Sequence, residues 1–569
     1  MTGSTRDVLV LQVSAGEGRA GLDQALEDVR SALAERPDRD VKVVLSEGVW
    51  TLGSPLEFGP RDGGGERATV TWTAATGSRV VWSGGRVLQD WRVEPDGTWS
   101  HDAPGPRNRE LFVEGERMPR ARFPREGWSR VVAPGPDGRT SFEFAEGDLA
   151  EWPDVSGAEL HFLHDWSTSL VPIQAVDAAS RTVQLEKKIG AWHEFFHITG
   201  FGAHPRYAVL NVEAGWTEPG DWLDDREAAR IRYRPAPGAT PSRTRAVLPE
   251  LERLVTVSGS AEEPVQGLVF QGIVFAHSRG VDPPEGYAGI QAAFYEGRTG
   301  GEMGPEREVP VPVAVRVDHA QRVGFEGCRF EELGGSAAWL GKGTRDAWIR
   351  GCSVEDAGGN GLMVGELREP APERPGDLAR RIALDGNVVR SCGRSSLGAV
   401  GIWVGMAAEV SVRGNEVAHL PYTGISLGWI WSPRPSVSHG HRIEGNHIHH
   451  VMNALSDGGG TYTIGRHVDT FLRGNRIHDV SPNQGRSPNN GFFLDQGSSA
   501  FVVEGNDVRD IGGSPIRFHL AGDLVIRGNT LVHSADVGPF TYNACSPEGK
   551  VFEGNRILQA SGAGDDTLR

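Results

Sequence analysis

The stretch VSVRGNEV, residues 410–417, is one copy of a pattern that the C-terminal half of this chain repeats. The pattern is an apolar residue, any residue, Gly-Asn, any residue and a second apolar residue. The other full copies are IALDGNVV (382–389), HRIEGNHI (441–448), FLRGNRI (471–477), VVEGNDV (502–508), VIRGNTL (525–531) and VFEGNRI (551–557). Degenerate copies surround Gly272, Gly327 and Gly351, and from Gly327 onward successive glycines lie 23 to 35 residues apart. The spacing indicates coils of one minimum size that carry loops of free length.

Each copy alternates apolar and polar residues, which predicts strands. A helical repeat would need a period near 3.6 and would tolerate little glycine. A propeller blade needs about 40 residues, more than these coils supply. The sequence therefore predicts an all-β chain, a right-handed parallel β-helix. We expect each asparagine to occupy a sharp turn, where it tolerates left-handed backbone and its amide bonds to the asparagines of the coils above and below.

A second column follows the asparagines, in segments such as AWLG (338–341) and FFLD (492–495). Alternation predicts that the first and third residues of each segment point inward and that the second and fourth point outward. The fourth residues are Gly341, Gly365, Gly405, Gly428, Gly465, Asp495, His519 and Asn543. Five glycines beside three polar residues predict a flat shelf that forms a sugar-binding groove.

The rest of the chain predicts three regions. Residues 1–105 form an N-terminal cap and the first coils, with a helix at 20–36 that buries a face of Leu22, Ala25, Leu26, Val29 and Leu33. The repeat vanishes in residues 106–250, where short alternating runs predict an inserted antiparallel β domain, a sandwich. Residues 251–569 form the main β-helix.

Composition restricts the partners. The formal net charge is −17 and only five of the 569 residues are lysine, so nucleic acid and anionic membranes are unfavourable partners. No apolar run is long enough to span a bilayer, and the N-terminus lacks the features of a signal peptide. We expect a cytoplasmic protein; a secreted one whose signal was removed is the alternative. The sequence leaves the oligomeric state open.

The four cysteines, Cys328, Cys352, Cys392 and Cys545, are expected at buried apolar positions and not in disulfides or metal sites.

Two carboxylates are the candidate catalytic residues. Asp457 lies in the glycine-rich segment SDGGGTYTIG, and Asp495 interrupts a column otherwise held by glycine. They belong to neighbouring coils, which stack about 4.8 Å apart. Paired carboxylates at about 5–9.5 Å cleave glycosidic bonds, one as the acid and the other as nucleophile or base.

The other candidates surround the predicted groove. His519 would bond to a sugar hydroxyl or orient a carboxylate, and Trp403 and Trp429 would stack on sugar rings. The remaining predicted substrate-binding residues are Arg517, Asn543 and Glu366. Tyr462 is nominally inward and is expected in the core. His447, His449 and His450 match no zinc spacing, so the sequence predicts neither a metal nor a cofactor.

The chain resembles glycoside hydrolase family 141 and, more distantly, family 120. The motifs that carry the resemblance are EGVWTL (47–52), RELFVEGERMPRARFP (109–124), TEPGDWLDD (217–225), GISLGW (424–429), SDGGGTYTIG (456–465) and GFFLDQGSS (491–499). The resemblance implies a β-helix with an inserted β domain, the catalytic pair Asp457 and Asp495, retention of configuration, and plant-polysaccharide substrates such as xylosides or fucosides. One departure is Gln496, where relatives often have glutamate.

Two alternatives stay open. A polysaccharide lyase or uronate epimerase on the same fold needs cations around a uronate carboxylate, and Arg517 and Arg466 are the obvious ones near the groove. A non-catalytic carbohydrate-binding solenoid would bind sugar without turnover. The fold does not decide among these functions.

Overall fold

Three long parallel sheets, here called sheets A, B and C, form the body of the protein in a computed structural model. The structure describes residues 7–149, 155–298, 307–371, 373–482 and 485–560. Residues 1–6, part of the stretch on which the localisation prediction rests, lie outside it. A typical coil passes from Ser411–Arg413 in sheet A through the Gly-Asn turn to Glu416–Ala418 in sheet B and Ile425–Leu427 in sheet C. The predicted parallel β-helix is confirmed.

The strands of each sheet pair in parallel from coil to coil. Sheet A has thirteen strands: Val8–Val13, Asp40–Leu45, Val70–Ala74, Val265–Gln271, Ala320–Glu326, Trp348–Arg350, Ala383–Asp385, Ser411–Arg413, Arg442–Glu444, Arg466–Arg473, Ser499–Glu504, Leu524–Arg527 and Lys550–Glu553. Sheet B has twelve: Gly48–Thr51, Val80–Ser83, Ile273–Ala276, Arg329–Leu333, Ser353–Ala357, Val388–Cys392, Glu416–Ala418, His447–Val451, Arg476–Val480, Asp507–Val508, Thr530–His533 and Arg556–Gln559. Sheet C has eleven: Leu56–Phe58, Val255–Ser258, Val313–Asp318, Ser336–Leu340, Leu362–Val364, Ile402–Val404, Ile425–Leu427, Gly458–Thr463, Asn489–Leu494, Ile516–His519 and Phe540–Asn543.

The asparagines form a continuous ladder inside the turn between sheets A and B. The Nδ2 of Asn415 donates to Oδ1 of Asn446 at 2.9 Å, and Nδ2 of Asn446 donates to Oδ1 of Asn475 at 2.9 Å. Each Oδ1 also accepts the backbone N–H of the asparagine one coil earlier. The amide ladder was predicted, but the left-handed backbone belongs to the preceding glycine, such as Gly414 at φ 60°, and not to the asparagine. The reason is that glycine adopts this conformation without a Cβ penalty.

Cysteine replaces asparagine in two earlier coils. The backbone N–H of Cys352 donates to Oδ1 of Asn387 at 2.9 Å, and that of Cys328 donates to Sγ of Cys352 at 3.3 Å, so the two cysteines extend the ladder. Cys328, Cys352 and Cys392 are free and buried, as expected, while Cys545 is only partly buried. Burial raises the pKa of the Cys392 thiol, which keeps it in the neutral form.

Helix α1, Gly18–Glu35, packs against the first coils. A 3₁₀ turn, Ala15–Glu17, precedes it, and the Ser14 and Glu17 side chains form a capping box there. The helix buries the predicted face of Leu22, Ala25, Leu26 and Val29, with Leu33 half-buried. Further 3₁₀ turns are Pro60–Asp62, Glu213–Gly215 and Pro375–Asp377. No helix in the described ranges is long and apolar enough to cross a membrane.

The inserted domain consists of antiparallel strands. One four-stranded sheet contains Gly85–Leu88, Phe112–Val113, Glu116–Arg117 and Ala246–Pro249. A second four-stranded sheet contains Arg92–Val93, Trp99–Asp102, Trp222–Asp225 and Arg230–Tyr233. A larger sheet contains Arg122–Phe123, Ser129–Pro134, Ser141–Phe144, Glu159–Leu163, Thr168–Asp177, Thr182–Leu185 and Arg206–Leu210. The antiparallel region therefore begins at Gly85, earlier than residue 106. Glu159–Leu163 pairs with both Thr168–Asp177 and Arg206–Leu210, and these pairings close six strands of the larger sheet into a ring. A sandwich was expected at this place. Alternation alone does not distinguish these arrangements.

An unexpected excursion leaves the β-helix between Ala276 and Val313. Its strands Tyr287–Gln291, Phe294–Glu296 and Glu308–Pro310 join the larger antiparallel sheet, because Ser169 and Leu170 pair with Ala288 and Tyr287. We call residues 287–298 and 307–310 the covering strands, because they lie over part of sheet C. Short alternating runs of this kind look like ordinary coil strands in the sequence.

Asn475→Ala should lower the free energy of unfolding by about 1–3 kcal/mol, because it leaves the backbone N–H and the amide of Asn446 without their buried acceptor. Chemical denaturation measures this change. Asn543→Ala, an exposed asparagine outside the ladder, is the control and should stay within about 0.5 kcal/mol. Equal effects of the two substitutions would contradict the ladder's role.

Candidate active site

The predicted carboxylates lie on the outer side of sheet C, near its C-terminal end. Asp457 immediately precedes the strand Gly458–Thr463, and Asp495 immediately follows the next strand, Asn489–Leu494. The third strand in order, Ile516–His519, carries Arg517 and His519. All four side chains belong to one network of polar contacts, which the following geometry defines.

Asp495 is held by two hydrogen-bonding groups. The Oη of Tyr462 donates to its Oδ2 at 2.5 Å, and the Nδ1 of His519 lies 2.6 Å from its Oδ1. His519 occupies the same outward column one coil further on, as predicted. The side chain of Asp495 is 13% exposed, so a ligand can reach it while both contacts fix its orientation.

Asp457 has a different environment. Its Oδ1 accepts a hydrogen bond from Nη1 of Arg517 at 3.0 Å, and its backbone has a φ of 59°. Burial raises the pKa of Asp457; the Arg517 guanidinium opposes this effect, and the carboxylates of Asp495 and Asp165 add to it. The net result is a raised pKa, which favours a carboxyl group that holds its proton.

Direct stacking of adjacent coils does not bring the two carboxylates together. Gly458 pairs with Asn489 and Thr463 pairs with Leu494, so Asp457 lies before the paired segment and Asp495 lies after it. The two residues belong to neighbouring coils, as expected, but they lie at opposite ends of the paired strands. Arg517 of the following coil pairs with Phe493 in the sheet, lies over the Phe493 ring and donates to Asp457.

Two tyrosines support the carboxylates, and neither was selected from the sequence. Tyr462 was expected in the core, yet its ring packs on Phe493 outside the solenoid and its hydroxyl bonds to Asp495. The Oη of Tyr422 donates to the backbone oxygen of Asp457 at 3.0 Å. Gln291, from the covering strands, hydrogen-bonds to both tyrosines. Burial and the nearby aspartates raise the pKa of both phenols, so both stay protonated donors.

The inserted domain contributes a third carboxylate, Asp165, to the Asp457 side of the network. Its backbone oxygen accepts the N–H of Ser456 at 2.8 Å, and its Oδ1 accepts the N–H of Arg486 at 3.0 Å. Its side chain is 2% exposed, and burial raises its pKa. Because Ser456 precedes Asp457, these bonds fix the backbone that presents Asp457. No local sequence signal distinguishes Asp165 from other acidic residues.

Gln496, the departure from the related families, has a local role. Its Nε2 donates to the backbone oxygen of Trp431 at 3.1 Å. Its backbone oxygen accepts a hydrogen bond from the N–H of Gly465. A glutamate carboxylate could not donate the first of these bonds. Glutamine here holds the loop after Trp429 against the site.

The predicted glycine shelf is covered. A Cβ on Gly365 would lie 2.8 Å from the backbone oxygen of Met406, and one on Gly428 would lie 2.0 Å from that of Ile464. The glycines therefore admit closely packed loops and do not leave a flat surface. The side chains of Asp457 and Asp495 stay partly exposed, at 20% and 13%.

The predicted stacking tryptophans are covered as well. Trp403 is 0% exposed and Trp429 is 4% exposed. Both rings contact Phe294 of the covering strands, with ring centroids about 5 Å apart, so neither presents a face to a sugar. The expectation of exposed stacking faces is wrong, because the sequence does not reveal that the covering strands fold over them.

Glu366 and Asn543 lie in different surroundings. Glu366 pairs with Arg316 at 2.7 Å and lines a separate cavity of about 550 Å³ with Trp339 and Tyr295. Burial raises the pKa of Glu366. Asn543 is exposed and pairs with His519 in the sheet, one coil beyond the network.

The histidines that follow Asn446 lie on sheet B, away from this network. The Nε2 atoms of His447 and His478 are 2.7 Å apart, and the Nδ1 atoms of His449 and His450 are 2.8 Å apart. Within the described ranges, no group of three or more potential ligands is arranged to hold a metal ion.

Known proteins give one strong structural likeness. A model described as a right-handed β-helix region matches residues 400–568. A solved structure named as a glycoside hydrolase superposes with a TM-score of 0.80 at 22% identity and covers 96% of each chain. XylC in complex with xylose gives a TM-score of 0.43 at 11% identity and covers 99% of this chain and 87% of its own. No curated protein matches significantly. At these identities the likeness shows the fold.

Asp165→Asn should lower the pKa of Asp457, because it removes a nearby negative charge that destabilises the ionised form. Carbon NMR of aspartate-labelled protein measures the titration of Asp457. Asp177→Asn, an exposed position in the same inserted domain, is the control and should leave that titration unchanged. An unchanged pKa in the Asp165 variant would show that the two carboxylates are not coupled.

Proposed function

We propose that this protein is a glycoside hydrolase with Asp457 as the proton donor and Asp495 as the nucleophile or base. The observation that carries the proposal is the difference between the two carboxyl environments within one network. The raised pKa of Asp457 suits an acid, while Tyr462 and His519 orient Asp495 toward an incoming sugar.

In this mechanism Asp457 gives its proton to the glycosidic oxygen as the bond to the anomeric carbon breaks. Asp495 attacks that carbon, or it takes a proton from the water that does so. In the first case a water molecule then displaces Asp495 from the anomeric carbon, and the ionised Asp457 accepts the proton of that water. Arg517 then stabilises Asp457 in its charged form. The family resemblance supports retention of configuration, which proton NMR of the first product measures.

The substrate proposal rests on the same resemblance. It supports neutral plant-type oligo- or polysaccharides, with xylosides and fucosides as the first candidates. Arg517 is engaged by Asp457, which leaves it less available for the uronate carboxylate that a lyase or epimerase must neutralise. A rise in absorbance from unsaturated uronate products would favour the lyase. Sugar binding with no turnover would favour a binding solenoid.

Asp457→Asn and Asp495→Asn should each lower turnover by about 10²–10⁴-fold, because each removes a group that moves a proton or attacks carbon. Release of product from a panel of aryl glycosides measures turnover. Asp536→Asn, an exposed loop position, is the control. Variants that retain full turnover at either position would contradict the assignment.

The melting temperature of Asp457→Asn should hardly change at neutral pH. The folded state raises the pKa of Asp457, so the folded protein loses stability as the pH rises from the unfolded value of about 3.9 through the raised value. Asparagine removes the free-energy cost of keeping an ionised Asp457 in the folded protein. This gain offsets the loss of the ion pair with Arg517. A large fall in melting temperature would identify Asp457 as mainly structural.

The rate should fall as the pH rises through the raised pKa of Asp457, because the acid then loses its proton. The pH profile of kcat with an aryl glycoside measures this limb. Asp165→Asn should move the limb to lower pH, and Asp177→Asn should not. If the fall of kcat at high pH stays at the same pH in the Asp165 variant, the group that titrates there is not Asp457.

A further inference from the structure

An aromatic segment of the inserted domain packs against Trp166, the residue that follows Asp165. Residues 191–201, AWHEFFHITGF, contain no helix or strand and are here called the aromatic loop. Ala191, Phe196 and Phe201 form a buried cluster, against which Trp166 and Phe195 pack. The buried aromatics give this loop its own small core.

The aromatic loop is fastened by backbone contacts. Arg139 donates from Nη1 to the backbone oxygen of Ala191 at 3.0 Å and from Nη2 to that of His193 at 2.8 Å. The N–H of Ile198 donates to the oxygen of Gly138 at 2.8 Å. The loop's side chains are therefore held in position before any ligand binds, which lowers the entropic cost of binding.

Trp166 connects the aromatic loop to the catalytic network. Its ring centroid lies 5.6 Å from that of Phe195 and 4.8 Å from that of Phe201. Its Nε1 donates to the backbone oxygen of Ile290 at 2.8 Å, one residue before the glutamine that bonds to both active-site tyrosines. Trp166 also directly follows Asp165. The loop therefore adjoins the wall that supports Asp457 and Asp495.

Three aromatic side chains of the loop are partly exposed, although Trp192 and Phe195 also pack against its buried cluster. Trp192, His193 and Phe195 are half-buried, and the rings of His193 and Phe195 are 3.8 Å apart with an interplanar angle of 32°. Partly exposed aromatic side chains that are held in fixed positions are typical of ligand-binding surfaces. Pyranose rings fit such faces, because their axial C–H groups are apolar while their hydroxyl groups stay at the edge, in water.

We propose that Trp192, His193 and Phe195 form a subsite that stacks on a pyranose unit of the substrate beyond the bond that is cleaved. This inference rests on the proposed function and adds that the substrate is a neutral oligosaccharide chain, which crosses from the β-helix onto the inserted domain. The solenoid tryptophans predicted for this task are buried, so the inserted domain supplies the stacking surface instead.

Binding to the Asp495→Asn variant tests the subsite without turnover. The probes are xylose, L-fucose, and xylo- and fuco-oligosaccharides of increasing length, measured by calorimetry. Affinity should rise with chain length for at least one series, and adding Trp192→Ala or Phe195→Ala should weaken binding of the long chains by about tenfold or more. Trp192→Phe keeps an aromatic face and should retain most of the affinity.

Phe471→Ala, a half-buried aromatic on sheet A between Arg442 and Arg473, is the matched control and should leave binding unchanged. The loop variants could lose the dependence of affinity on chain length while the wild-type protein hydrolyses no glycoside. This result would support the subsite and reject the proposed function. Hydrolysis with unchanged long-chain binding in the loop variants would reject the subsite alone. Failure of the Asp495→Asn variant to bind any chain would overturn the inference.

Discussion

The buried hydrogen bond from one asparagine amide to the next determines the register of the C-terminal coils of the solenoid, from Asn387 to Asn555. Each ladder asparagine satisfies a backbone N–H and a side-chain amide of its neighbour, while its own Nδ2 also donates to a backbone oxygen of the preceding coil, as Asn475 does to Ile443. A coil that slipped by one residue would leave these buried groups unpaired, at a cost of about 1–3 kcal/mol for each one. Loops of very different length can therefore leave the coils without disturbing the stack.

That tolerance allows the site to be assembled from distant segments. Asp457 and Asp495 come from the solenoid, but the inserted domain delivers Asp165 and the covering strands deliver Gln291. These additions desolvate Asp457 and hold the tyrosine hydroxyls in place. In the proposed mechanism the solenoid supplies the reacting groups and the insertion adjusts their environment, which is how one fold can support different chemistries.

The sequence predicted the features that depend on local periodicity. The repeat indicated the parallel β-helix and the asparagine ladder, the 3.6-residue pattern indicated α1, and the interrupted column pointed to Asp495 and His519. It failed where the outcome depends on distant contacts. Nothing near Trp403 indicates that Phe294 covers it, and nothing near Asp165 indicates that it docks beside Ser456. The offset between Asp457 and Asp495 depends on the pairing of Gly458 with Asn489, which the alternating pattern does not specify.

The central claim is that Asp457 and Asp495 hydrolyse a glycosidic bond, and isotopic labelling tests it most directly. Aryl xylosides and fucosides are incubated in water enriched in heavy oxygen, and the released sugar is analysed by mass spectrometry. We predict that one heavy oxygen atom enters the new reducing end with the wild-type protein, and that Asp495→Asn yields little labelled sugar. Release of an unlabelled or unsaturated sugar, or equal labelling by both proteins, would contradict the account.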